Sequence, residues 1–182
     1  ASGANQILTQ HYLTPVFGFR MFRKKIRKSS SRLSKNTASE VKPLQMSVPI
    51  AGYLEIEHTA DWELHVWAPD LAALLEQAAR GMFSLSGARL RSGKRFERTI
   101  ELLAEDAETL LVTFLSELLF IVESEGLGFD GYQIHLDGYH LEAKLQGAEL
   151  SGQNKEIKAV TYHRLAVKKT GWGLEVNIVF DV

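Results

Sequence analysis

The chain has 182 residues, of which 45% are hydrophobic and 24% charged, the size and composition of one ordinary globular domain with its own core. It contains no cysteine, which excludes disulfides, zinc–thiolate sites, iron–sulfur clusters and thiol nucleophiles. The formal net charge of -1 hides an uneven distribution: residues 1–48 carry nine Lys or Arg against the single acid Glu40, a net of +8, while the remainder carries 12 basic and 21 acidic residues, a net of -9.

Residues 1–48 form a basic extension that is expected to be disordered. The run from Arg20 to Arg32 is dense in like charge and serine and cannot bury enough apolar surface to offset its ordering entropy. Four readings of it stay open: sequence upstream of a natural start at Met46, a cloning remnant beginning Ala1-Ser2-Gly3-Ala4, an organelle transit segment, and a nucleic-acid-binding arm. No aromatic series is interleaved with the basic cluster at base-stacking spacing, which counts against the last two. Ile7 to Phe19 is broken by Gln10, His11, Pro15 and Gly18, so it does not read as a secretory signal. No apolar run approaches the roughly 18 residues of a membrane helix.

The folded body is expected over 49–182. Tyr53 to Glu57 alternates as a strand, and Trp62 to Trp67 as a second. Asp70 caps a helix whose apolar residues, Leu71, Leu74, Leu75, Ala78 and Met82, recur at helical spacing, with Gly87 just beyond its end. Arg95 to Ala104 reads as a strand. Asp106 caps the longest helix, over about Ala107 to Ser124 and stopped by Gly126; its broad apolar face predicts a helix packed centrally against a sheet. Phe129 to Leu136 and Tyr139 to Leu150 flank Asp137-Gly138, a hairpin signal. Ala159 to Lys169 and Leu174 to Val182 read as a final hairpin around Thr170-Gly171. The order ββαβαββββ predicts an α+β domain, two helices on mainly antiparallel sheet. No internal repeat is evident.

The chemistry-bearing candidates are few. His58-Thr59-Ala60-Asp61 joins the first two strands, where function often gathers. Asp61 there can ligate a hard cation, act as a base or, most commonly for a loop Asp, cap a turn. His58 can be a ligand, a supporting residue or only a polar residue at a strand end. In the last strand Leu174, Val176, Ile178, Phe180 and Val182 share one face. That explains the strand but not why Asp181 lies beside the final carboxylate, where like charges repel. A cation there relieves the repulsion; a solvated edge screens it instead. Lys158, Tyr162 and His163 lie in Glu156-Ile157-Lys158-Ala159-Val160-Thr161-Tyr162-His163, which alone reads as a surface strand with a Tyr packed down. Glu108, Glu117 and Glu123 read as a solvated helix face. No Gly-x-Ser-x-Gly, P-loop or His-Glu-x-x-His pattern occurs, and Gly126-Leu127-Gly128 lacks the preceding strand of a dinucleotide fingerprint.

Together, Glu57-His58-Thr59-Ala60-Asp61, Glu156 to His163 and the closing Val179-Phe180-Asp181-Val182 make the chain resemble the archease family, over about Tyr53 to Val182. The resemblance implies a non-catalytic protein cofactor of the RtcB-type RNA ligase, which joins RNA ends bearing a 2′,3′-cyclic phosphate or 3′-phosphate to 5′-hydroxyl ends, as in tRNA splicing. Such a helper promotes guanylylation of the ligase by GTP, supports repeated turnover, and meets tRNA only through the ligase. The resemblance also implies a divalent metal, calcium in the first instance with magnesium or manganese as alternatives, on Asp61, Asp181 and the main-chain oxygen of Val182. His58, Lys158, Tyr162 and His163 then become supporting or partner-facing positions. A cytoplasmic location without membrane contact is the matching expectation. Trp62, Glu63 and His65 depart from the family's more apolar, small-residue strand, which bears on the neighbouring partner surface. The competing readings are a chaperone-like or general RNA-processing interaction protein and, last, a metal-dependent hydrolase with Asp61 as ligand and His58 as base, for which no nucleophile or second base is visible.

Overall fold

Two antiparallel sheets meet over a pair of helices, and each helix starts where the sequence offers a cap. The structure is a computed structural model that describes residues 50–56 and 62–182. The basic extension and the residues 57–61, with His58 and Asp61, lie outside the described residues. Strands β1 (Gly52–Ile56) and β2 (Trp62–Ala68) are followed by helix α1 (Leu71–Leu85), strands β3 (Arg89–Leu90) and β4 (Phe96–Leu103), and helix α2 (Ala107–Glu125). Five strands complete the domain: β5 (Leu127–Asp137), β6 (His140–Gly152), β7 (Ala159–Val160), β8 (Lys168–Lys169) and β9 (Leu174–Asp181). The class is the expected α+β.

The helix ends follow the local chemistry. The Asp70 carboxylate accepts from Ala73 N at 2.8 Å and that of Asp106 from Thr109 N at 2.7 Å, each satisfying an amide that the first helical turn leaves without a partner. Bonding by Thr109 holds the Asp106 carboxyl below its usual pKa, because only the ionised form accepts so well. Gly126 ends α2 at φ 67, in the left-handed region where a side chain is penalised. Leu110, Leu111, Phe114, Leu115 and Leu118 on α2 are completely buried, which agrees with the central packing expected of its broad apolar face.

In the first sheet the order is β1-β2-β9, and the far edge of β9 pairs with β7 and β8. In the second, β6 lies at the centre, with β5 on one edge and β4 then β3 along the other. Helix α1 packs on β1, β2 and β9 of the first sheet and on β5 of the second; α2 packs on β4, β5 and β7. The shared core takes Leu64, Val66, Ile178 and Phe180 from the first sheet and Leu141, Ala143 and Leu145 from the second, the inward half of each period-two alternation.

Four expectations are corrected. The β5–β6 hairpin turns on Gly138-Tyr139 rather than Asp137-Gly138, since Asp137 is paired with His140. Only Gly138 has positive φ there, at 60, which selects the type II′ turn, with its glycine first. The penultimate strand, expected to run over Ala159 to Lys169, survives only as β7 and β8. Ala159 pairs with Asp181 and Lys168 with Glu175, so nine steps on one side match six on the other, and the surplus leaves the sheet as a loop. That loop turns at Arg164, φ 55, and packs Leu165 and Val167 on the core. Glu108, expected on a solvated face, accepts from Val167 N at 2.9 Å and ties the loop to α2. The two-residue β3 has no counterpart in the expected order, because so short a segment carries no period.

Candidate functional site

At one end of the first sheet, β9 carries Asp181 between two neighbours. On one edge Trp62, which opens β2, pairs with Phe180; on the other, Ala159 pairs with Asp181. Phe180 is fully buried, which fixes its successor's side chain on the opposite, solvent face. Lys158 joins the group through two bonds: its backbone N donates to Asp181 O at 2.8 Å, and its Nζ donates to Val182 O at 3.0 Å. Lys155 places its ammonium 4.3 Å from the centre of the Trp62 ring, a cation–π contact.

The residues singled out in sequence therefore divide. Lys158, Asp181 and Val182, remote in sequence, are neighbours here. Tyr162 and His163 lie in the loop after β7, and Tyr162 is 58% exposed rather than packed down. Thr161 pins that loop: its backbone N and its hydroxyl both donate to Val179 O at 3.0 Å, and its hydroxyl oxygen accepts from His163 N at 3.3 Å. Glu63 and His65 engage Asn177 on β9: His65 Nδ1 bonds Asn177 Oδ1 at 2.7 Å and Asn177 Nδ2 donates to Glu63 Oε1 at 2.6 Å. Trp67 stacks on His65, ring centres 5.6 Å apart.

The described part of the donor set suits a hard cation: an exposed carboxylate at Asp181 and a main-chain oxygen at Val182, with no nitrogen or sulfur. The Val182 oxygen accepts from the Lys158 ammonium, which a metal ion at that oxygen would have to displace or share.

Next to this group is a groove of about 450 Å³, lined by Met82 and Phe83 of α1, Phe120 of α2, and Ile157, Lys158 and Val160. Phe120 is 61% exposed. It was not among the expected site residues; the signal that could have marked it is an aromatic off the buried stripe of an amphipathic helix. No described helix is long and apolar enough to cross a membrane.

Comparison with known proteins gives a consistent picture. Residues 53–182 match the model of the Archease protein family. Protein archease from Methanosarcina mazei is 32% identical over 139 residues, covering 71% of this chain and 95% of that protein. Protein archease from Pyrococcus abyssi is 34% identical over 121 residues, 62% of this chain and 85% of the relative. A crystal structure of an archease from Thermotoga maritima, described as a possible chaperone, superposes with a TM-score of 0.55 at 27% identity, covering 70% of this chain and 94% of that one.

Proposed function

Because the chain belongs to the archease family, we propose that it acts as a non-catalytic activator of the RtcB-type tRNA-splicing RNA ligase, promoting guanylylation of the ligase by GTP and its repeated turnover. The observation that carries this reading is the register of β2, β9 and β7, which gathers Trp62, Lys158, Ala159 and Asp181 at one end of one sheet. The second motif and the closing residues that carry the resemblance thus lie together, beside Trp62, the residue that follows the first motif in sequence.

In this reading Asp61, Asp181 and the Val182 main-chain oxygen hold a divalent cation of the calcium class. When bound, the cation supplies positive charge that attracts phosphate oxygens. Lys158 orients the Val182 oxygen and adds a second positive charge beside it. The exposed face of this end is open to a partner's groups, and the Tyr162–His163 loop and the groove beside Lys158 extend the docking surface. The ligase performs the chemistry; tRNA is met only through it, in the cytoplasm.

The test is a time course of ligase guanylylation and multiple-turnover joining with this protein, Asp61→Ala and Asp181→Ala. Both variants should lose stimulation by at least roughly tenfold, a loss of about 1.4 kcal/mol or more. Full stimulation by both would remove the metal end from the mechanism. A chaperone-like role, in line with the description of the Thermotoga maritima protein, is the outcome if the protein raises the yield of folded ligase but leaves guanylylation of already folded ligase unchanged.

A further inference from the structure

We propose that the solvent face of the second sheet carries a separate binding site for a borderline divalent metal of the zinc class, built from Glu101 of β4 with His140 and Glu142 of β6. One donor atom from each of these residues lies within 4.8 Å of the others. A zinc ion with bonds of about 2.1 Å in tetrahedral geometry holds its ligands about 3.4 Å apart. Rotamer adjustments of two exposed glutamates close that gap without moving the backbone.

Three features set this group apart from an ordinary acidic surface. First, Glu101 and Glu142 are direct cross-strand partners. Like charges in that position destabilise a sheet, and a cation between them converts the repulsion into ligation. Second, an imidazole completes the set: His140 Nε2 is 2.7 Å from Glu101 Oε1, so the ring already presents its nitrogen to the carboxylate that would share the metal. Nitrogen with carboxylate oxygen favours zinc and its first-row neighbours, whereas calcium prefers oxygen alone. Third, a depression of about 260 Å³ adjoins Glu142, walled by Thr99, Gln133, His135 and Lys144. His135 is the cross-strand partner of Glu142 on β5. The site therefore has a second imidazole beside it and room for an exogenous group at the metal.

The backbone beneath is preorganised. β6 is paired on both edges at this level, with Leu141, Ala143 and Leu145 buried on its other face, so the donors stand on a rigid three-stranded platform. The site is independent of the oxygen donors on β9 and of the proposed ligase role.

The experiment is a calorimetric zinc titration of the full chain, expressed without a polyhistidine tag, in an Asp61→Ala/Asp181→Ala background that removes the β9 donors. Saturable binding of one equivalent is expected. His140→Ala and, separately, Glu142→Gln should weaken it at least roughly tenfold, since even residues that only support a metal ligand cost that much. Cobalt(II) in place of zinc should give visible absorption bands that His140→Ala abolishes, and excess calcium should not displace it. Circular dichroism of both variants checks folding, which substitution of partly or fully exposed side chains should preserve. Absence of saturable zinc binding, or equal binding by the parent and His140→Ala, overturns the proposal and leaves a surface His–Glu hydrogen bond only.

Discussion

The two sheets share one core but are built differently. β6 is matched along nearly its whole length by long partners, with a bulge around Asp130 opposite Gly147 and Gln146 and a register shift between Arg89 and Leu90 where β3 joins it. The far edge of β9 is instead held by two two-residue strands with a loop between them. Regular pairing spreads stability over many residues, whereas a ragged edge concentrates loops, bonded carbonyls and exposed side chains at one place. The candidate ligase-facing group lies on the ragged edge and the candidate zinc site on the regular one. The first can therefore adapt to a partner, while the second is suited to a ligand that demands fixed geometry.

Three perturbations break or sharpen this contrast. The largest effect is expected from Gly147→Ala. A Cβ at Gly147 would stand 1.8 Å from Gly128 O, a backbone atom that cannot swing away, so the second sheet must shift. We expect a loss of about 1–3 kcal/mol or more in urea unfolding; an unchanged midpoint would show that the regular sheet yields as easily as the ragged edge.

The next concerns acid stability. Thr109 lowers the Asp106 pKa in the folded chain. A depressed carboxyl contributes stability that is present above its unfolded pKa, about 4, and is lost as pH falls through the folded value. Asp106→Asn still caps α2 but does not titrate there. Its melting temperature should therefore fall less than the parent's between about pH 5 and about pH 2.5; parallel acid limbs would mean that the α2 cap, on which both sheets depend, does not contribute to the acid response.

The smallest global effect is expected from Thr161→Ala. It removes the hydroxyl that donates to Val179 O and accepts from His163 N, yet leaves the Thr161 backbone bond to Val179. The unfolding free energy should change by less than about 1 kcal/mol. Amide exchange over residues 159–167 should nonetheless accelerate, while β5 and β6 stay protected. Uniform acceleration throughout the domain would mean that the edge does not open independently.

Much of the fold was legible because its signals are local. Asp70, Asp106 and Gly126 mark helix ends through bonds and dihedral preferences that reach no further than one turn. The alternation from Leu174 to Phe180 announces a strand with one buried face. Part of the candidate site was legible for a different reason: the Asp181-Val182 ending and the stretch around Lys158 stand out as motifs, and the family match covers both. The bond from Lys158 Nζ to Val182 O was not legible, because it depends on which edge of β9 receives β7.

What the sequence determined by itself, then, is the two helices with their caps, the long strands and their inward faces, since each follows from the side chains of a few consecutive residues. The tertiary structure alone decided register. It split the penultimate strand, because Leu165 and Val167 gain more by packing on the core than by continuing an edge, and it turned Glu108 from a surface acid into the anchor of that loop. It also set Glu101 opposite Glu142 beside His140. Those three residues form no motif in sequence, for their proximity is a property of two strand pairings, and a slip of one residue in the β4–β6 register would put Glu101 on the opposite face from Glu142 and His140.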